Sequence, residues 1–125
     1  MNLNHTRKME NQIKNALLDL KELLGKGQFI EAMEKYLADD VVLQEANNEP
    51  KVGKETALRA EKELLATVTD FGGYEMKNIA VSGDTSYYEA VMEFTTNDGV
   101  SHRFEQVNRT VWRDGKIINE RYFHA

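Results

Sequence analysis

Apolar residues recur at helical spacing through the first half of the chain and at alternating spacing through the second. Met9, Ile13, Ala16, Leu17, Leu20, Leu23 and Leu24 fall on one face of a helix, with charged or amide side chains between them. Gly25-Lys26-Gly27 ends it, because glycine readily takes the left-handed conformation that closes a helix. Phe29, Ile30, Met33, Tyr36 and Leu37 form the stripe of a second helix over about residues 28–38. Ala38-Asp39-Asp40 stops that helix, and residues 41–46 read as a short strand. Residues 47–53 form a loop holding the only proline, Pro50. A third helix starts near Lys54, turns Ala57, Ala60, Leu64, Leu65 and Val68 inward, and ends at Asp70-Phe71-Gly72-Gly73.

From Tyr74 the period becomes two. Residues 74–83, 85–96, 101–112 and 116–124 read as strands, with turn signals at Ser82-Gly83-Asp84, Asn97-Asp98-Gly99 and Arg113-Asp114-Gly115. Helices gathered ahead of a meandering antiparallel sheet predict an α+β fold, with one domain over residues 7–125 and a flexible tail over residues 1–6.

The last strand breaks the usual sorting of polar and apolar faces. Ile118, Glu120, Tyr122 and His124 share one face, and Ile117, Asn119, Arg121 and Phe123 share the other. On the strand before it, Arg103, Glu105, Arg109 and Arg113 belong outside, which leaves His102, Phe104, Gln106, Asn108, Thr110 and Trp112 facing in. Polar groups on an inner face need partners or a wet cavity. The turn decides which side of the last strand joins them. A two-residue Asp114-Gly115 loop pairs Arg113 with Lys116 and turns Ile117, Asn119, Arg121 and Phe123 inward. A three-residue loop, with Gly115 in the left-handed position, pairs Trp112 with Lys116 and turns Ile118, Glu120, Tyr122 and His124 inward, with Asn108 opposite Glu120. The three-residue form is the preferred reading; a one-residue slip flips the whole strand.

Composition narrows the function classes. Hydrophobic residues make up 41% and charged residues 30% of 125 residues, ordinary values for a globular protein. No apolar run is long enough to cross a membrane, and the first residues lack a signal-peptide pattern. With no cysteine there is no disulfide and no thiolate nucleophile or ligand, and a cytoplasmic location is expected. The net charge of -5 and the absence of a basic run argue against nucleic acid as partner. No phosphate loop, dinucleotide fingerprint, nucleophile elbow or zinc spacing occurs, so no cofactor or metal is expected.

The stretches GKGQFIEAMEKYLADDVVLQEA (residues 25–46) and NRTVWRDGKIINERYF (residues 108–123) resemble the SnoaL-like group of polyketide cyclases and isomerases. That group lies within the nuclear-transport-factor-2-like superfamily, the α+β cone. The first stretch looks like the family's paired helices and entering strand, the second like its W-x-x-G-K-I closing hairpin. The resemblance implies a curved sheet around three helices, a pocket inside the cone for a small, partly apolar ligand, and a homodimer through the outer sheet face. It implies isomerase, cyclase or hydrolase chemistry with a carboxylate base, or else binding without chemistry or an accessory dimerisation role.

Two carboxylates are candidates for that base. Aligned on LADDVVLQE, Glu45 falls where the resembling ketosteroid isomerases carry a general base, which would work if burial raised its pKa. The plainer reading of Glu45 is a solvated loop carboxylate. The enolate-holding tyrosine of those enzymes would fall near Leu20, which cannot donate, and Asn108 falls where they keep a neutral acid. Glu120 is the second candidate, with Asn108, Trp112, Tyr122, Gln106, Thr110, His124, His102 and Phe104 as pocket-lining residues. Tyr88 and Phe94 could be walls as well, although aromatic residues are more often core. A metal site from His102, His124 and Glu120 is disfavoured, since their spacing is not a metal motif.

Overall fold

A computed structural model describes residues 3–124. Three helices, α1 (Leu3–Gly25), α2 (Phe29–Tyr36) and α3 (Lys54–Leu65), accompany six strands. These are β1 (Leu37–Glu45), β2 (Lys51–Val52), β3 (Val68–Ser82), β4 (Thr85–Thr96), β5 (Ser101–Arg113) and β6 (Lys116–Phe123). The strands form one sheet in the order β2-β1-β6-β5-β4-β3, antiparallel throughout except where β1 and β6 run parallel. This is the α+β cone architecture that the sequence predicts.

The core sits between the helices and the concave sheet face. Ile13, Leu17 and Leu20 of α1 meet Ala32 and Tyr36 of α2, Val41 of β1, Ala57 of α3, and Met76, Tyr88, Ala90, Trp112 and Ile117 of the sheet. Each large apolar side chain removed from water contributes about 1.5–3 kcal/mol, so this layer is the main drive for closing the cone. Gly27 joins α1 to α2 at φ +76, and a Cβ there would stand 3.2 Å from the Phe71 ring, so the turn seats directly on β3.

Several boundaries differ from the sequence reading. Residues 3–6, expected in a loose tail, are helical, while residues 1 and 2 lie outside the described residues. The second helix ends at Tyr36, and Leu37–Asp40 belong to β1, where pairing of Leu37 with Ile117 holds the chain extended. The loop over residues 47–53 contains the edge strand β2, whose Val52 pairs with Val42. Val68 opens β3 instead of ending α3, and Phe71-Gly72-Gly73 continue the strand through a register shift against β4. Tertiary pairing overrides local propensity at each of these points.

The last hairpin combines both registers considered for it. The loop is the two-residue form: Arg113 pairs with Lys116, and Asp114 at φ 52 and Gly115 at φ 78 make a mirror-type turn, so the preferred three-residue loop is corrected. Trp112 pairs with Ile117, but Val111 pairs with Asn119, leaving Ile118 without a partner. This β-bulge changes the parity of the strand. Ile117 is inward at 3% exposure before the bulge, and Glu120 is inward at 8% beyond it. The residue opposite Glu120 is therefore Thr110, and Asn108 stands opposite Tyr122.

Deleting Ile118 should remove the bulge and leave Ile117 and Glu120 two positions apart on the same inward face, with Glu120 still opposite Thr110 and Tyr122 still opposite Asn108. The expected result is that the cooperative thermal transition and the near-ultraviolet dichroism of the packed core are both retained, and loss of both would show that the strand has flipped. Ile118→Val keeps the residue count and should cost less than about 1.5 kcal/mol in urea unfolding.

Candidate functional site

A cavity of about 470 Å³ lies inside the cone. Its helical side is mostly apolar, from Leu20, Leu24, Phe29, Met33 and Ala57. Its sheet side is polar, from Tyr74, Tyr88, Gln106, Asn108, Glu120 and Tyr122. An apolar vessel with a few convergent polar groups suits a small organic ligand.

Glu120 is the centre of the polar wall. The bulge turns it inward, and the Thr110 hydroxyl across the hairpin donates to its Oε2 at 2.6 Å. The Tyr122 hydroxyl beside it also favours the charged form. Burial raises the carboxyl above its ordinary pKa, and the two hydroxyls oppose that rise without cancelling it. Tyr122 in turn is held well above the usual phenol range by burial and by the Glu120 charge.

A second network runs beside the first. Gln106 Nε2 donates to Asn108 Oδ1 at 2.9 Å, and Asn108 Nδ2 donates to the Tyr88 hydroxyl at 2.9 Å. Tyr74 lines the same polar wall as Tyr88. Burial and the Glu120 charge raise the pKa of both phenols, so both keep their protons at neutral pH. Glu61 on α3 also lines the cavity; burial raises its pKa, and Lys51 works in the other direction.

No family model matches this chain, and no curated protein matches it either. Solved structures do. A protein of Mesorhizobium loti, provisionally named a SnoaL-like polyketide cyclase (carbohydrate phosphatase), superposes with a TM-score of 0.78 at 26% identity, over 90% of this chain and 98% of that one. A second provisionally named SnoaL-like polyketide cyclase, from Jannaschia sp., gives a TM-score of 0.76 at 19% identity, over 92% and 86% of the two chains. A Catenulispora acidiphila protein with a ketosteroid isomerase-like fold, in complex with trimethylamine, gives 0.71 at 12% identity, over 88% and 85%. The chain has the SnoaL-like, nuclear-transport-factor-2-like fold.

Within this SnoaL-like cone the residues expected at the site divide into four groups. Glu120, Tyr122, Asn108 and Gln106 line the cavity together. Glu45 stands at its edge with its side chain 51% exposed and the His124 imidazole 3.7 Å away, so the burial that a base at that position needs is absent. His124 thus meets Glu45 and is not among the residues lining the cavity. Thr110 and Trp112 lie behind the wall, a correction to their expected place in it. Thr110 is fully buried under Glu120, and the Trp112 indole N–H donates to Ser86 Oγ at 2.9 Å while its ring meets Tyr36 edge-on at 6.0 Å. Trp112 is core because its ring packs on Tyr36 of α2 within the buried cluster. His102 and Phe104 line a second, outer chamber of about 420 Å³. Among the described residues no three His, Asp or Glu side chains converge as a metal site requires.

Sequence reasoning missed Glu61, Tyr74, Lys51 and Met92, all of which line the cavity. The signal for Glu61 was present: it sits between Ala57 and Leu64 on the inward stripe of α3, where an acid is out of place. Lys51 carried none, since its position depends on β2 pairing at the sheet edge.

Because the folded pKa of Glu120 lies above its ordinary value near 4.5, the native state holds more protons than the unfolded chain between those two points. Stability therefore falls as pH rises through that window. Glu120→Gln removes this loss. Its Tm should gain on the wild type by a few degrees between pH 4 and pH 8 in thermal unfolding at matched ionic strength. A difference that stays flat with pH would show that the carboxyl is not desolvated.

Proposed function

We propose that the cone binds a small, mainly apolar organic molecule and moves a proton on it with Glu120, as a cofactor-independent isomerase or cyclase does. The observation that carries this reading is the setting of Glu120. It is buried on the cavity wall, held by the Thr110 hydroxyl, and has no ion-pair partner among the described residues. A carboxyl raised by burial can donate a proton to a carbonyl or enolate oxygen in its neutral form. Once ionised, it can accept one from a carbon next to a carbonyl. Thr110 fixes its orientation, and the Tyr122 O–H, which favours the ionised carboxylate, is released to a developing oxyanion once Glu120 takes up the proton. Names that include polyketide cyclase and isomerase among proteins of the same fold support this class of chemistry. Glu45, half in solvent, is assigned to the entrance.

The test is exchange of the α-hydrogens of 2-tetralone in D2O, followed by proton NMR. The wild type should accelerate exchange above buffer, Glu120→Gln should lose about 10²–10⁴-fold of that acceleration, and Glu45→Gln less than about tenfold. Binding of 2-tetralone with no exchange above buffer would make the cone a binding module without chemistry.

The outer sheet face supports a homodimer. Tyr87, Val107 and Phe123 are 44%, 40% and 40% exposed there, and Val107 pairs directly with Phe123. Arg109 and Arg121 on one side of this patch and Glu89 and Glu105 on the other give it the mixed charge that a two-fold interface can match to itself. In sedimentation velocity the wild type should run as a dimer, and Val107→Glu should shift it to monomer while leaving the far-ultraviolet dichroism unchanged.

A further inference from the structure

The outer chamber has a construction of its own. Its walls share Glu45, Leu64, Met92 and Gln106 with the inner cavity, so the two spaces adjoin along that boundary. Phe94 of β4 and His102 and Phe104 of β5 line the outer space and are nearly parallel to one another. Phe94 stacks on His102 with centroids 4.9 Å apart at 23° and on Phe104 at 5.8 Å and 24°, and His102 and Phe104 lie 6.2 Å apart at 2°. The register explains the array: Phe94 pairs with His102 across the strands, and Phe104 is two residues farther along the same inward face.

The imidazole is held in place. His102 Nε2 is 3.1 Å from Thr96 Oγ1, and that hydroxyl donates to Asp98 at 2.6 Å. The β4–β5 turn is itself fastened to the end of α3, with Asn97 N–H donating to the Thr67 carbonyl at 2.7 Å. One side of the chamber is thus a fixed aromatic shelf. Thr67, Thr96, Asn97 and Asp98 make the rest of its lining hydrogen-bonding. A flat ring with polar substituents matches both: its face stacks on the shelf and its edge meets the polar groups.

We propose that the outer chamber is a second subsite, which stacks a planar aromatic group of the same ligand whose reacting end lies at Glu120. The ligand is then elongated and two-part, with one end in the inner cavity and an aryl end against Phe94, His102 and Phe104. Each chamber alone lies in the lower half of the range for pockets of drug-sized ligands, and the two together approach its upper end. Met92 and Gln106 line both spaces, where the ligand would cross from one to the other. Gln106 is drawn toward Asn108 by its hydrogen bond, and the Met92 side chain can adapt to what passes. This inference rests on the reading of Glu120 for the orientation of the ligand, but the outer subsite has a test of its own.

The probes are 2-naphthol and 6-phenyl-2-naphthol, titrated into the full chain carrying ¹³C at its methionine methyl groups. Met33 lines only the inner cavity, and Met92 lines both spaces. The phenyl extension should tighten binding by at least about tenfold and shift Met92. Phe104→Ala should remove most of that advantage, while the affinity for 2-naphthol changes less than about twofold. Phe104→Leu keeps the bulk of the side chain and removes the ring face, so it should show the same loss if the alanine variant folds poorly. The subsite is overturned if the phenyl extension adds no affinity, or if its advantage survives both variants. If 2-naphthol leaves Met33 unmoved while the phenyl advantage holds and depends on Phe104, the outer subsite stands and the reading of the inner cavity fails.

Discussion

The bulge at Ile118 lets one strand face the inside of the cone twice. A regular β6 would put either Ile117 or Glu120 inward, never both, because side chains alternate. The core needs Ile117, which packs with Trp112 and Leu37 at the narrow end. The cavity needs Glu120, three residues farther on. One unpaired residue reconciles the two demands, and the β1 partner absorbs the change through its own register shift between Leu37 and Val42. What β6 adds to the polar wall follows from that step: Thr110 meets Glu120, Asn108 comes level with Tyr122, and the outward residues Asn119, Arg121 and Phe123 complete the other face.

A buried carboxyl among phenols costs stability, and the surrounding residues limit that cost without removing it. Hydroxyl donors hold the charged form of Glu120, but none brings the full opposite charge that would pull its pKa down. A structural carboxylate is usually paired with a cation, as Arg103 is with Glu93 and Glu105 on the outside of this same sheet. Glu120 is instead left to change its protonation state. Retention of a titratable group in a desolvated, accessible wall is the pattern of functional sites. The same wall keeps Tyr74, Tyr88 and Tyr122 as neutral donors, so the cavity offers hydrogen bonds to oxygen atoms without adding positive charge.

The cone is graded along its length. At the closed end Trp112, Ser86 and Tyr36 fill the space, with the indole N–H satisfied internally. In the middle, side chains withdraw from the axis and leave the polar cavity. Toward the β4–β5 turn the lining becomes aromatic on one side and polar on the other. The strands are continuous through all three zones, so the grading comes from which side chains occupy successive inward positions of β4 and β5. Ser86, Tyr88, Ala90, Met92 and Phe94 set it on one strand, and Phe104, Gln106, Asn108, Thr110 and Trp112 on the other.

Much of this was legible in the sequence. The helical stripes, the change of period after Phe71 and the inward face of β5 are local patterns, and local patterns survive without knowledge of the fold. The polar residues Gln106, Asn108 and Glu120 stood out because they sat where apolar ones belonged. Other features depended on partners distant in the chain. The type of the last turn and the bulge beyond it are set together by Trp112 packing on Ile117 and by the parallel pairing with β1, neither of which is encoded within the hairpin. Trp112 and Thr110 shared a face with Asn108, yet only the position of α2 decided that the cavity stops short of them. Glu61 and Lys51 entered the site because α3 and the sheet edge fold over its mouth. Sequence by itself determined which residues could face inward; tertiary packing decided which of those meet empty space, because a cavity is defined by the side chains that fail to reach one another.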